Sequence, residues 1–232
     1  MLTLLSLFLA FFTLNPAAVS DHETRDLDAF KYLDVSGSIS VELIASNEHK
    51  VDIEMLRGNI EDLITEVNGK TLKLKFKSKG FNWNSNNKNK AKVKVYYSML
   101  DGIDASAGSN VRSESEVNAD NMEIDVSSGA SVKVSFDVEK LDVDISSGGS
   151  VKVSGEATKQ YVDISSGASY IANDLKSKWC SVDASSGASA KVWVEEELEA
   201  DASSGASIRY GGDPKHKDID AGKYSGGSIR EM

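Results

Sequence analysis

The sequence predicts an all-β chain wound as a parallel, right-handed β-helix. Three observations predict it. First, one phrase recurs: DVSSGASV at 125–132, DISSGGSV at 144–151, DISSGASY at 163–170, DASSGASA at 183–190 and DASSGASI at 201–208. Second, its glycine falls at Gly108, Gly129, Gly148, Gly167, Gly187, Gly205 and Gly226, so one repeat is 18–21 residues, the length of one solenoid coil. Third, apolar and polar residues alternate with period two between the phrases, which is the mark of half-buried strands. The right hand follows from the chirality of crossovers between parallel strands.

The opening residues, MLTLLSLFLAFFTLNPAAVSDHE, read as a secretory signal over 1–20. The apolar run from Leu2 to Leu14 is too short to span a bilayer comfortably. Ala18, Val19 and Ser20 supply small residues for cleavage near Ser20–Asp21, although the usual positively charged start is missing. No cysteine follows for lipid attachment, so the expected mature chain is soluble, without a transmembrane anchor and outside the cytoplasm: periplasmic, on the cell surface or secreted.

Residues 28–100 form an N-terminal β region of less regular spacing. SISVEL (38–43), KVDIE (50–54), LITEV (63–67), TLKLKFK (71–77) and AKVKVYY (91–97) each alternate apolar and polar. Asn68-Gly69 marks a hairpin, because both central positions of a type I′ turn need positive φ. RGNIEDLI (57–64) has room for one helical turn. GFNWNSNNKNK (80–90) is an Asn-rich loop whose Trp83 is either a binding aromatic or a lid on the strands.

From 101 to 232 the repeat continues this region as a solenoid. In LDVDISSGGSVKV (141–153), Leu141, Val143 and Ile145 point inward and Asp142 and Asp144 outward; after the turn Val151 and Val153 point inward and Lys152 outward. Val162 and Ile164, Val182 and Ala184, then Ala200 and Ala202 continue the inner columns. Coils stacked about 4.8 Å apart make each letter a column. In the phrase, Gly permits the tight turn, the small residue after it (Ala130, Gly149, Ala168, Ala188, Ala206) fits a cramped corner, Asp bonds its own backbone, and the serines satisfy corner amides. Cys180 shares the inward parity of Val182 and Ala184 and reads as a buried, inert thiol.

Two charged columns follow from the repeat. Asp104, Asp125, Asp144, Asp163, Asp183 and Asp201 stack outward, repelling by roughly 1 kcal/mol per neighbour in water. Turn amides and Ser hydroxyls donating to these carboxylates would offset the repulsion and lower their pKa values. The sharper alternative is Ca²⁺ held by Asp125, Asp144, Asp163, Asp183 and Asp201, although no Asp-x-Asp-x-Asp-Gly loop exists. Eight residues after each Asp stands a cation: Arg112, Lys133, Lys152, Lys191 and Arg209, with Ile171 the exception. This row is either a solvated edge that keeps the solenoid soluble or an ordered array that docks a partner protein or an anionic glycan.

The net charge is −10, with 26 Lys and Arg against 36 Asp and Glu, which argues against nucleic acid as a partner. One cysteine excludes an internal disulfide, and three histidines leave few candidate bases. There is no HExxH, P-loop, Rossmann fingerprint or Gly-x-Ser-x-Gly elbow, and SSGAS recurs too often to be a nucleophile's setting. His216, in GGDPKHKD, sits in turn chemistry. No catalytic residues and no cofactor are read.

FKYLDVSGSISVEL, KVDIE, NGKTLKLK, KVKVYYSMLDGIDASAGSNV and the repeated D-[IVA]-S-S-G-[AG]-S turns, in that order, resemble the head GIN domain family of auto-transporter adhesins over about residues 28–229. The resemblance implies a secreted β-solenoid of the Gram-negative, Bacteroidetes-like cell envelope with an adhesive role, no established activity and no catalytic residues to carry over. No translocator barrel or coiled-coil stalk is read within these residues. The expected function is a non-enzymatic binding or structural module of the envelope, with an envelope protein or glycan as partner and self-association open through its ends and flat sides. Two alternatives stand: a polysaccharide-active enzyme on the same scaffold, and a calcium-stabilised structural module.

Overall fold

The computed structural model describes residues 21–77, 89–222 and 226–232. The signal segment and most of the Asn-rich loop, with Trp83, lie outside these residues. The chain is built almost wholly of strands: β1 (His22–Asp26), β2 (Tyr32–Ser36), β3 (Ile39–Ala45), β4 (Lys50–Arg57), β5 (Leu63–Asn68), β6 (Thr71–Phe76), β7 (Lys90–Tyr97) and β8 (Gly102–Ser106). Then come the long β9 (Asn110–Val126), β10 (Ser131–Ile145), β11 (Ser150–Ile164), β12 (Ser169–Ala184) and β13 (Ser189–Ala202), and the shorter β14 (Ser207–Gly211), β15 (His216–Asp220) and β16 (Ser228–Glu231). The helical turn expected near 57–64 is a 3₁₀ turn, Ile60–Asp62, opened by Asn59, whose side chain accepts from Glu61 N–H.

From β9 to β13 each long strand turns a corner midway. In β10, Val132, Val134, Phe136 and Val138 are buried at alternate positions; the phase then slips by one, and Leu141, Val143 and Ile145 are buried next. Neighbouring coils pair in parallel and nearly in register: Val143 with Val162, Val162 with Val182, and Val182 with Ala200. The core is therefore a set of aliphatic columns. Large and small residues compensate along them: Phe136 is followed by Gly155, and Tyr170 by Ala190. In the column Leu141–Gln160–Cys180–Leu198, Cys180 is fully buried, and burial pushes its thiol far above the ordinary range. Gln160, in the same column, is a polar exception that the alternation does not reveal. Its amide donates to Ser177 Oγ at 2.6 Å and its carbonyl accepts from Tyr170 at 3.1 Å, while Ser177 donates to the Trp193 carbonyl at 2.7 Å. The polar groups of Gln160, Tyr170 and Ser177 thus satisfy one another and the Trp193 carbonyl.

The repeated phrase forms a type I′-like turn. Ala130 N–H bonds the Ser127 carbonyl at 3.0 Å, and the central pair Ser128 and Gly129 both have positive φ. The first central position is a non-glycine at positive φ in six of these turns, namely at Ala107, Ser128, Ser147, Ser166, Ser186 and Ser204. The expectation gave left-handed backbone to the glycines alone. The glycine amide bonds the next coil's serine carbonyl, as in Gly129 to Ser147, Gly148 to Ser166 and Gly167 to Ser186, and the first serine's amide bonds the preceding coil, as in Ser146 to Val126. These corner amides are thus satisfied by backbone rather than by serine hydroxyls. The cramped corner is real: a Cβ at Gly149 would lie 2.8 Å from the Val126 carbonyl.

Coils are not stacked in sequence order at the N-terminal end. The β2–β3 coil lies between β6–β7 and the β8–β9 coil, parallel to both. Beyond β6–β7 the direction reverses: β5 pairs antiparallel with β6, β4 with β7, and β1 with β4. The predicted hairpin forms, Asn68 facing Thr71, but one residue on from the expected type I′ turn: Asn68 ends β5, the turn is Gly69-Lys70, and of these residues only Gly69 has positive φ. At the other end β14 and β15 complete a coil on β13, and β16 adds a last strand on β14.

Gly155 tests the packing. Its φ is +104°, and a Cβ there would lie 2.0 Å from the Phe136 carbonyl oxygen. Gly148, with φ +72°, has open space. Gly148→Ala should cost about 1 kcal/mol through its left-handed backbone alone. Gly155→Ala should cost more, about 3 kcal/mol, because backbone must move as well. Urea unfolding of the two variants measures the difference.

Candidate binding surfaces

The cation row forms. Arg112 pairs in register with Lys133, Lys133 with Lys152, Lys152 with Ile171, Ile171 with Lys191, and Lys191 with Arg209. All five cations are exposed. Two features were not read from the spacing. The row gains Arg230, paired with Arg209; it stands ten residues after its coil's Asp220 instead of eight, so the interval hid it. A hydroxyl row, Ser131, Ser150, Ser169, Ser189, Ser207 and Ser228, also runs beside it, two residues before each of its members from Lys133 to Arg230. Both rows present outward from the same strands.

Towards the N-terminal end the same row changes character. Arg112 pairs with Glu42, Glu42 with Lys94, Lys94 with Asp52, and Asp52 with Thr24. Glu42 stands eight residues after Asp34, so the first coil carries an acid in the cation's place. Arg112 donates to Glu42 at 3.4 Å and Lys92 to Glu54 at 3.5 Å, and these residues line a groove of about 500 Å³ together with Ser40, Asp52 and Lys94. Thr24 donates to Asp52 at 2.7 Å and holds that carboxyl below its ordinary pKa.

The aspartate row also forms and is longer than read. Asp34 pairs with Asp104, which continues through Asp125, Asp144, Asp163, Asp183 and Asp201 to Asp220. From Asp104 to Asp201 no side chain makes an ion pair or hydrogen bond to these carboxylates among the described residues. The expected lowering of pKa is overturned at Asp104, Asp125, Asp144 and Asp183. Partial burial, with repulsion from neighbouring carboxylates, raises Asp104, Asp125, Asp144 and Asp183 above the ordinary aspartate range. The turn amides that were to donate to them are used in turn and inter-coil backbone bonds. Among the described residues, no group of three or more His, Cys, Asp or Glu is arranged to hold a metal ion.

On the same outer face, two residues before each ladder aspartate, runs the column Tyr32, Gly102, Glu123, Asp142, Tyr161, Ser181, Glu199 and Asp218. Its aromatic members were not singled out from the sequence. Tyr161 packs against Trp179 of the next coil, with ring centroids 4.6 Å apart at 52°.

A carboxyl with a raised native pKa binds its proton more tightly folded than unfolded. Its cost to stability is thus present at neutral pH and fades as pH falls through the raised value towards 4. Asp144→Asn should therefore stabilise the fold at pH 7, by about 0.5 kcal/mol after solvent screening, or a melting-temperature rise of about 1–2 °C. That gain should shrink on acidification and in high salt. Thermal melts of both proteins from pH 4 to 7 check the sign.

Comparison with known proteins agrees with this architecture. A structure described as a putative adhesin from Bacteroides fragilis NCTC 9343 matches with a TM-score of 0.84 at 19% identity, covering 94% of this chain and 99% of that one. A putative adhesin from Parabacteroides distasonis ATCC 8503 matches with a TM-score of 0.72 at 20% identity, over 91% and 96%. A putative lipid binding protein from the same organism matches with a TM-score of 0.63 at 20% identity, over 91% and 97%. At these identities the likeness is one of fold. No curated protein matches the chain. Residues 29–214 match the family model "Putative auto-transporter adhesin, head GIN domain", and the chain belongs to that family.

Proposed function

We propose that this chain is an extracytoplasmic, non-enzymatic adhesin-like wall whose cation row docks an anionic glycan. The row of Arg112, Lys133, Lys152, Lys191, Arg209 and Arg230, flanked by serine hydroxyls, carries the reading. Ammonium and guanidinium groups attract sulfate or carboxylate, and hydroxyls complete the hydrogen bonding. The coil repeat sets the spacing, so an extended polymer lying along the stack meets a cation at nearly every coil. Ile171 leaves one gap.

The family supports a binding role, and the apolar start of the sequence supports export with cleavage near Ser20–Asp21. Among the described residues no helix is long and apolar enough to cross a membrane. The even distribution of acids along the stack disfavours the polysaccharide-active enzyme, which needs carboxylates converging in one cleft. A calcium-stabilised module would need six to eight oxygens around each ion, whereas each coil offers one ladder aspartate.

A heparin-derived decasaccharide is a direct probe. The wild-type chain should bind it in low salt and release it as salt rises. The double variant Lys133→Glu/Lys152→Glu should bind about 10–30-fold more weakly, at roughly 1 kcal/mol per cation. Titration calorimetry reads both. Absence of wild-type binding, or an unchanged affinity in the double variant, overturns the reading.

A further inference from the structure

The acidic face differs in chemistry from the cation row: it sets aromatic rings among the ladder carboxylates. Along that face the inward positions are filled by buried Gln160, Val162, Cys180 and Val182, so the core does not require Tyr161 and Trp179 outside. Tyr161 nonetheless stays 37% exposed, with Trp179 against it. Beside Tyr161 lies a depression of about 170 Å³ lined by Asp142, Asp144, Asp163, Ser181 and Asp183. The protein also shows what chemistry this place accepts. Lys140 sets its ammonium over the Tyr161 ring, 4.9 Å from the centroid, and donates to Asp142 at 2.7 Å. An amine held between an aromatic face and a carboxylate is a cation–π contact completed by a charged hydrogen bond.

The same column offers a second ring. Tyr32, four coils from Tyr161, covers Gly102 so closely that a Cβ there would lie 2.6 Å from the tyrosine ring. At about 4.8 Å per coil the two tyrosines are roughly 19 Å apart along the stack. Between them each coil presents a ladder aspartate: Asp104, Asp125 and Asp144. A ligand that suits this face is extended, has flat apolar faces for the rings, and carries donors or amines at a repeat close to one coil.

We propose that Tyr161 and Trp179, with Asp142 and Asp144, form a subsite for an amine-bearing pyranose chain lying along the stack. The partly exposed Lys140 side chain swings away, the sugar's C–H face stacks on the rings, its hydroxyls donate to the aspartates, and its ammonium replaces that of Lys140 between Tyr161 and Asp142. The lining is acidic, so uronic or sulfated sugars are repelled here and directed to the cation row. This goes beyond the proposed function, because it uses a different face and a ligand of opposite charge.

The test is calorimetric titration of the full chain with β-1,4-linked glucosamine hexamer at mildly acidic pH and low salt. The hexamer should bind. Its fully N-acetylated counterpart should bind at least about tenfold more weakly, having lost the charge. Tyr161→Ala and Trp179→Ala should each weaken hexamer binding about tenfold while circular dichroism stays unchanged, and the exposed Tyr161 keeps the test informative if Trp179→Ala misfolds. Lys133→Glu/Lys152→Glu should leave it intact, which separates failure here from failure of the heparin-binding reading. The proposal is overturned if the hexamer gives no binding, if hexalysine binds equally well, if N-acetylation changes nothing, or if Tyr161→Ala has no effect.

Discussion

Parallel, near-register stacking of one coil on the next is the constraint from which the rest of this structure follows. At about 4.8 Å per coil, each position of the repeat has the same position of the next coil as its nearest neighbour. Inside, this demands columns of side chains that tolerate their own kind, and Val, Ile, Leu and Ala do so without buried polar atoms. At the corner it demands a turn whose amides face outward along the stack. The Ser-Gly pair meets this demand by placing both central residues at positive φ, so that Gly129, Gly148 and Gly167 each donate to a neighbouring coil's serine carbonyl. The corner is thus tied together by backbone, and the serine and aspartate side chains are left free to face solvent.

On the outside the same constraint multiplies charge. Any ionisable letter of the repeat becomes a like-charged column, and partial burial, with repulsion from neighbouring carboxylates added to it, raises the pKa values of Asp125, Asp144 and Asp183. Where the repeat breaks down, so does the likeness of charge. At the N-terminal end Asp34 has Lys73 on one side and Asp104 on the other, and the cation row alternates through Glu42, Lys94 and Asp52. The reversal of strand direction at β4 and β5 closes the parallel stack, and the alternation of charge closes its electrostatic columns.

Much of this was legible because a β repeat writes its geometry in the sequence with little distortion. Period-two alternation fixed the inward set of β10 to β13, and the interval of eight from Asp to cation placed Arg112, Lys133, Lys152, Lys191 and Arg209 in one row. What escaped depended on departures from the period. Arg230 sits ten residues after Asp220 because the last turn is longer. Asp34 belongs to the first coil, but in DVSGS the glycine stands three residues after the aspartate rather than four as in the later phrase. The stacking of β2–β3 between β6–β7 and β8 was hidden because local alternation says which face a residue takes, not which strand it meets. The Tyr161–Trp179 contact is diagonal between coils, so it is visible only once the register of β11 against β12 is known.

The two outer faces also explain how a chain of net charge −10 can present a cation surface. At physiological ionic strength the screening length is about 8 Å, longer than one coil step and shorter than two. Charges of adjacent coils within one column therefore reinforce each other, whereas charges distributed around the rest of the molecule are largely screened. An approaching polymer senses the column beneath it more strongly than the net charge of the protein. The Ser-Gly turn, small and uncharged, keeps the two columns on separate faces, eight residues apart along the chain. Extending such a wall by further coils would lengthen both columns without altering the local field of either. A repeat of this kind can therefore set affinity by length while leaving the chemistry of recognition at each coil the same.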